Sequence, residues 1–225
     1  MNVLPRKHGE TGRAYALRAI KSNIVDLTLE PGAMISENDL AEQLGLSRTP
    51  VREALMELAG VGIIEIYPQK GSRVSLIDDK MVDEARFLRL RLETGVVRQL
   101  CGCGEPALAL LDQSVQTQRF YLENGTEAQV MEQDNAFHKL LFELVEKAHC
   151  YELIHNMEIH FDRIRTLTGS APKNRRNIQE HEDLTAAIRR GDGDLAERIM
   201  ETHLSHYKAD EETVRADHPD YFKSN

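Results

Sequence analysis

Apolar residues recur at helical spacing along most of this chain, and the first such segment covers residues 13–27. Its apolar side chains fall near a single stripe of a helix: Tyr15, Ile20, Ile24 and Leu27. Pro31 and Gly32 follow, and they end the helix because proline cannot continue it and glycine suits a turn. The pattern predicts one amphipathic helix near the start of the chain.

Two shorter helices and a hairpin are predicted next. Ser36 stands at the capping position of one short helix, and Ser47 stands at the capping position of the next. Pro50 lies in the first turn of that second helix, where the N–H that proline lacks would have no helical partner. Residues 63–76 then read as two short strands joined by a tight turn. Two short helices followed by a hairpin predict a winged helix-turn-helix.

The remaining residues show helical periodicity and no strand pattern. Helices are predicted at about 80–100, 106–123, 126–147, 150–168, 175–190 and 193–212. Packed together, they would form an antiparallel bundle. The expected fold class is therefore mainly α: an N-terminal winged helix-turn-helix and a C-terminal all-α helical bundle.

The distribution of charge places a boundary between these two parts. The chain has 28 Lys and Arg against 37 Asp and Glu, a formal charge of −9, yet residues 1–75 are neutral. We expect a DNA-binding domain at 12–76, a helical domain at 80–212 and a polar tail without an assigned role at 213–225. Three cysteines and the lack of a long apolar run predict a cytoplasmic protein with no membrane partner.

The second short helix carries the side chains suited to reading DNA. Arg48 and Arg52 are four residues apart and share one face, and the arginine fork matches the O6 and N7 acceptors of guanine. Ser47 and Thr49 are placed for phosphate contacts at the helix start, and Lys70 lies at the wing tip. Two arginines on an isolated helix would more often be exposed to solvent without a function. The DNA-binding role of Arg48 and Arg52 is inferred because their helix lies within a predicted winged helix-turn-helix.

The same segment resembles the signature of GntR-family bacterial transcription regulators. The resemblance spans about residues 12–76 and is densest in Leu40-Ala41-Glu42-Gln43-Leu44-Gly45-Leu46-Ser47-Arg48-Thr49-Pro50-Val51-Arg52-Glu53-Ala54-Leu55. It implies a homodimer that binds a palindromic operator in double-stranded DNA and is nucleoid-associated when bound. The DNA-binding residues it implies are Ser47, Arg48, Thr49, Arg52, Lys70 and Gly71.

Four residues of the helical half form a candidate metal set. Asp134 and His138 are four apart on one predicted helix, and His181 and His203 lie in the last two helices. A carboxylate with three imidazoles suits a first-row divalent ion. With nine histidines in the chain, spacing by itself does not distinguish ligands from ordinary core or surface histidines.

A second resemblance gives these four residues a context. The order of Asp134, His138, Glu180-His181 and His203 is similar to the FCD domain, the effector-binding half of FadR-type GntR regulators. It implies a divalent transition metal (Zn, Ni or Mn) held by Asp134, His138, His181 and His203. It also implies a small organic acid as effector, with Arg89 and Arg165 pairing its carboxylate; the alternative for both arginines is a salt bridge with a neighbouring acid.

The expected function is a DNA-binding transcription regulator, most simply a repressor, controlled by a small carboxylate bound at the metal. Two alternatives stay open: a regulator for which the metal itself is the signal, and a metalloenzyme built on the bundle. The second is disfavoured because the chain has no His-Glu-x-x-His motif and no visible nucleophile–base pair. We therefore do not expect an enzyme.

Overall fold

The computed structural model describes residues 1–224, and the side chains of all of these except residues 171 and 207–210. The chain forms two compact units. The first contains residues 1–82, 159–166 and 213–224, and the second contains residues 83–158 and 167–212. Within the described residues, no helix is long and apolar enough to cross a bilayer.

The first unit contains the predicted winged helix-turn-helix. Its elements are α1 (Gly12–Val25), β1 (Met34–Ile35), α2 (Glu37–Leu44), α3 (Arg48–Gly60), β2 (Ile64–Tyr67) and β3 (Gly71–Val74). The strands form an antiparallel sheet in the order β1-β3-β2, so the predicted hairpin gains a third strand. Its core joins the apolar faces of α1 and α3 to the sheet, with Ile20, Leu55 and Val74 among the buried side chains.

Short-range signals account for the turn that sets α3 in place. The Ser36 hydroxyl accepts from the amide of Asp39 at 3.4 Å and caps α2. Gly45 ends α2 with a left-handed φ of 63°, which glycine adopts without strain. Ser47 occupies the N-cap position of α3, but its side chain makes no capping hydrogen bond, unlike the sequence-based expectation.

The second unit is the predicted helical bundle. Its elements are α4 (Asp79–Leu100), α5 (Glu105–Asn124), α6 (Glu127–Leu144), α7 (Ala148–Met157), α9 (Ala171–Arg189) and α10 (Gly193–Ser205). The first residues of α4 belong to the first unit, and so does most of α8 (Ile159–Thr168). The single helix predicted at 150–168 is wrong, because Glu158 separates α7 from α8. The buried core includes Leu111, Phe137, Phe142 and Met200.

The C-terminal residues differ from the polar tail expected at 213–225. Helix α11 (Tyr207–Asp217) is followed by a 3-10 turn at Pro219–Tyr221, and Phe222 pairs with Ile77 in a parallel bridge. Val214 and Phe222 are buried in the first unit. Two apolar residues in a polar sequence were too weak a signal to predict this packing, and Asn225 lies outside the described residues.

Residues 159–166, which are most of α8, belong to the first unit and form hydrogen bonds with the segment after β3. The Arg163 guanidinium donates to the carbonyl of Ser75 at 2.7 Å and to Nδ1 of His160 at 2.5 Å. The same His160 nitrogen accepts from the amide of Asp78 at 3.1 Å. Burial, with the nearby Arg163 charge, lowers the pKa of His160 to about 3, so this ring is neutral.

Candidate DNA-binding face and metal centre

The exposed flank of α3 and the wing border one concave face of the first unit. This concavity has a volume of about 780 Å³, and Arg48, Arg52 and Lys70 are among the residues that line it. The Arg48 side chain is 68% exposed and lies 3.8 Å from the Glu37 carboxylate, too far for a strong ion pair. The basic groups are therefore available to a ligand that enters this face.

Side-chain hydrogen bonds of Glu65 support the two strands of the wing. Glu65 accepts hydrogen bonds from the Tyr67 hydroxyl at 2.6 Å and from the Arg73 guanidinium at 2.6 Å, which ties β2 to β3. Gly71 has a φ of +98°, and a Cβ there would come within 3.2 Å of the Ile35 carbonyl oxygen. Glycine is thus required at 71, and Lys70 is exposed beside it.

The four predicted metal ligands converge inside the second unit. Asp134 and His138 lie on α6, His181 on α9 and His203 on α10. Their donor atoms all lie within 4.8 Å of one another. The Nε2 atom of His203 is 3.3 Å from the Nε2 atoms of both other histidines, and Phe137 stacks on the His181 ring at 4.1 Å.

Each of the three imidazoles is oriented through its other nitrogen. The Nδ1 atom of His138 donates to Glu93 at 2.5 Å, that of His181 to Gln118 at 2.7 Å, and that of His203 to Glu180 at 2.7 Å. With the proton on Nδ1, each ring turns the lone pair of Nε2 toward the same point. The Nε2 atom of His203 is 3.3 Å from those of His138 and His181. Lone pairs cannot bond one another, but all three can bind one cation.

The charges around this point also suit a divalent ion. Burial lowers the pKa of His138 and of His181, so both rings are neutral ligands. Burial opposes ionisation of Glu93, but Arg89 and His138 outweigh it and lower its pKa to about 2. One buried guanidinium, Arg89, therefore faces the three buried carboxylates Glu93, Asp134 and Glu158, a set with a formal charge of −2. A dication bound to the three imidazoles and Asp134 would balance it.

Each half of the chain matches a known family model. Residues 14–74 match the family model for bacterial regulatory proteins of the gntR family, and residues 84–206 match the FCD domain. The HTH-type transcriptional repressor RspR of Escherichia coli is 31% identical over 209 residues, 91% of each chain. The chain belongs to the GntR family. The family and the mainly α fold predicted from the sequence are thereby confirmed.

Two further comparisons for this GntR-family regulator have lower identity than RspR. A probable D-xylose utilization operon transcriptional repressor of Paenarthrobacter nicotinovorans is 27% identical, with 78% of each chain covered. The solved structure of Escherichia coli McbR/YncC has a TM-score of 0.76 and 22% identity, covering 88% of this chain and 96% of its own. At that identity the structural likeness concerns the fold alone.

The two arginines predicted to contact an effector already have acidic partners. Arg89 is 5% exposed and pairs with Glu93 at 2.5 Å and with Glu158 at 3.0 Å. Arg165, in the first compact unit, pairs with Asp162 at 3.1 Å. The salt-bridge alternative thus describes both arginines as they stand, and their contact with an effector stays a prediction.

The residues that orient the imidazoles are not among the site residues predicted from the sequence. Gln118 continues the buried stripe of Leu108, Leu111 and Val115 on α5, where an apolar residue is expected. A polar residue at a core position of an amphipathic helix could therefore have marked Gln118 as a residue with a buried hydrogen-bond partner. Glu93 gives the same signal between Ala85 and Val97 on α4, whereas Glu180 is less deeply buried and gives none.

Proposed function

We propose that this GntR-family regulator is a repressor that binds a palindromic operator as a homodimer and responds to a small carboxylate held at a metal centre. The observation that carries the proposal is the convergence of one carboxylate and three oriented imidazoles inside the FCD domain. Two relatives carry the word repressor in their names, which supports the proposed sign of regulation.

The DNA-binding part of the proposal assigns roles along one face. Arg48 and Arg52 would contact guanine edges in the major groove, and Ser47 and Thr49 the flanking phosphates. Lys70 and Gly71 would bring the wing against the backbone of the duplex. All of these except Ser47 and Thr49 line the concave face, and Ser47 and Thr49 are exposed at the start of α3. A dimer would place one such face on each half of a palindrome.

The effector part of the proposal follows from the chemistry of the metal centre. Asp134, His138, His181 and His203 would hold Zn²⁺, Ni²⁺ or Mn²⁺, and the ion would supply a Lewis acid for a carboxylate oxygen. Four protein donors leave coordination positions open on ions that accept five or six ligands. Arg89 would pair with the second carboxylate oxygen only by giving up one of its present partners, and Arg165 remains a further proposed contact.

The test starts from metal-free, full-length protein and an operator selected from a random duplex library. Operator affinity is measured by fluorescence anisotropy with each metal alone and with each metal plus a panel of mono-, di- and tricarboxylates. We expect at least one carboxylate to weaken binding tenfold or more, and only when metal is present. Affinity that no carboxylate changes would refute the effector role. A large effect of metal by itself would instead favour a metal-responsive regulator.

A further inference from the structure

The recognition helix α3 has two exposed flanks of different chemistry. Glu57 lies on one flank and pairs with Arg13 at 2.6 Å, with Glu53 exposed one turn before it. Arg48 and Arg52 lie on the other flank, which borders the concave face. Together with Arg13 this flank carries one net negative charge, whereas Arg48 and Arg52 are both positive, so phosphates favour an approach from the side of the two arginines.

Met56 extends the arginine flank by one more turn. It follows Arg52 by four residues, is 57% exposed and lines the same concavity as the two arginines. The positions of Arg48 and Met56 are about 12 Å apart along the helix axis, comparable to the width of the major groove. Two more exposed apolar side chains, Met34 and Ile66, line this concavity. The face therefore joins positive charge to apolar surface.

The chemistry of Met56 limits what it can recognise in a groove. Its thioether offers no hydrogen-bond donor and only a weak acceptor, so it cannot read the polar edge of a base. The C5-methyl group of thymine is the apolar group that the four bases present in the major groove. A flexible methionine side chain can cover such a methyl group over a range of geometries.

We propose that Met56 is a specificity-determining residue that selects thymine at one position of each operator half-site through its methyl group. The inference rests on the proposed function, because it requires that α3 enters the major groove. It adds a base preference that the arginines cannot provide. Burial of one methyl group corresponds to about a fourfold gain in affinity.

Deoxyuridine scanning of the operator tests this contact. Full-length protein selects an operator from a random duplex library, and each thymine is then replaced in turn by deoxyuridine, which removes the methyl group and keeps every hydrogen-bonding group. Dissociation constants are compared for the unmodified protein, Met56→Ala, Met56→Leu and the control Leu153→Ala. Leu153 is an exposed apolar residue of the helical unit, so its variant reports the effect of losing an apolar side chain elsewhere.

The expected result is one thymine per half-site at which deoxyuridine weakens binding about fourfold. Met56→Ala should lose this sensitivity at that thymine, whereas Met56→Leu and Leu153→Ala should retain it. Equal sensitivity in Met56→Ala, or no sensitive thymine at all, would overturn the inference and leave operator binding through Arg48 and Arg52 intact. A library from which no sequence is enriched would refute the proposed function and this inference together.

Discussion

Replacing His203 by alanine tests the metal centre directly. The Nε2 atom of His203 is 3.3 Å from the Nε2 atoms of both His138 and His181. Its loss removes one of four donors and leaves the other imidazoles oriented by Glu93 and Gln118. We expect His203→Ala to fold and to bind divalent metal much more weakly than the unmodified protein.

The size of the effect follows from linkage between binding and folding. A metal that binds only the folded state stabilises it by about 2.7 kcal/mol at a hundred times its dissociation constant. For a chain of 225 residues, 1 kcal/mol raises the melting temperature by roughly 2–4 °C. The unmodified protein should therefore gain roughly 5–10 °C on addition of the tightest-binding metal, and His203→Ala less than about 2 °C at the same concentration.

The assay is thermal unfolding of chelator-treated protein with and without Zn²⁺, Ni²⁺ or Mn²⁺, together with metal content after dialysis. His206→Ala is the matched control, because Glu180 accepts a hydrogen bond from His206 and from His203 at 2.7 Å each, yet only His203 belongs to the donor cluster. The control should keep the full metal-induced rise. A rise in His203→Ala equal to that of the unmodified protein would refute the assignment of this ligand.

Three further predictions concern the first unit. Arg52→Ala should cost about 1–3 kcal/mol at the selected operator and much less on random duplexes in anisotropy titrations, and equal losses on both would remove its base-reading role. Phe222→Ala should lower the free energy of unfolding by about 3–5 kcal/mol in urea titrations, because this large side chain is buried. An unchanged unfolding midpoint would contradict its packing role. Burial and the charge of Arg163 lower the pKa of His160 to about 3 in the folded protein, below its value of about 6.5 in the unfolded chain. The unfolded state therefore binds the proton more tightly. The free energy of unfolding should fall as the pH drops from about 6.5 toward 3, by up to about 1.4 kcal/mol per pH unit. His160→Gln should flatten this dependence in urea titrations, the exposed His149→Gln should not, and identical slopes would contradict the assignment.

Local features of this protein were readable from the sequence. The helix-turn-helix depends on interactions within about four residues: Ser36 with the amide of Asp39, and Gly45 at a left-handed turn. The shared face of Arg48 and Arg52, like that of Asp134 and His138, follows from the period of the helix. The family resemblance then selected His181 and His203 from nine histidines, which spacing could not do.

Tertiary structure decided which polar side chains meet. His138, His181 and His203 come from three helices, and their partners Glu93, Gln118 and Glu180 bring in two more. The sequence also gave no indication that residues 213–224 pack with the winged domain, or that Glu158 ends one helix before another begins. Helix propensity and periodicity report on neighbours within one or two turns, whereas the ion-binding geometry and the burial of Phe222 depend on contacts between residues far apart in the chain, which only the packing of whole helices brings together.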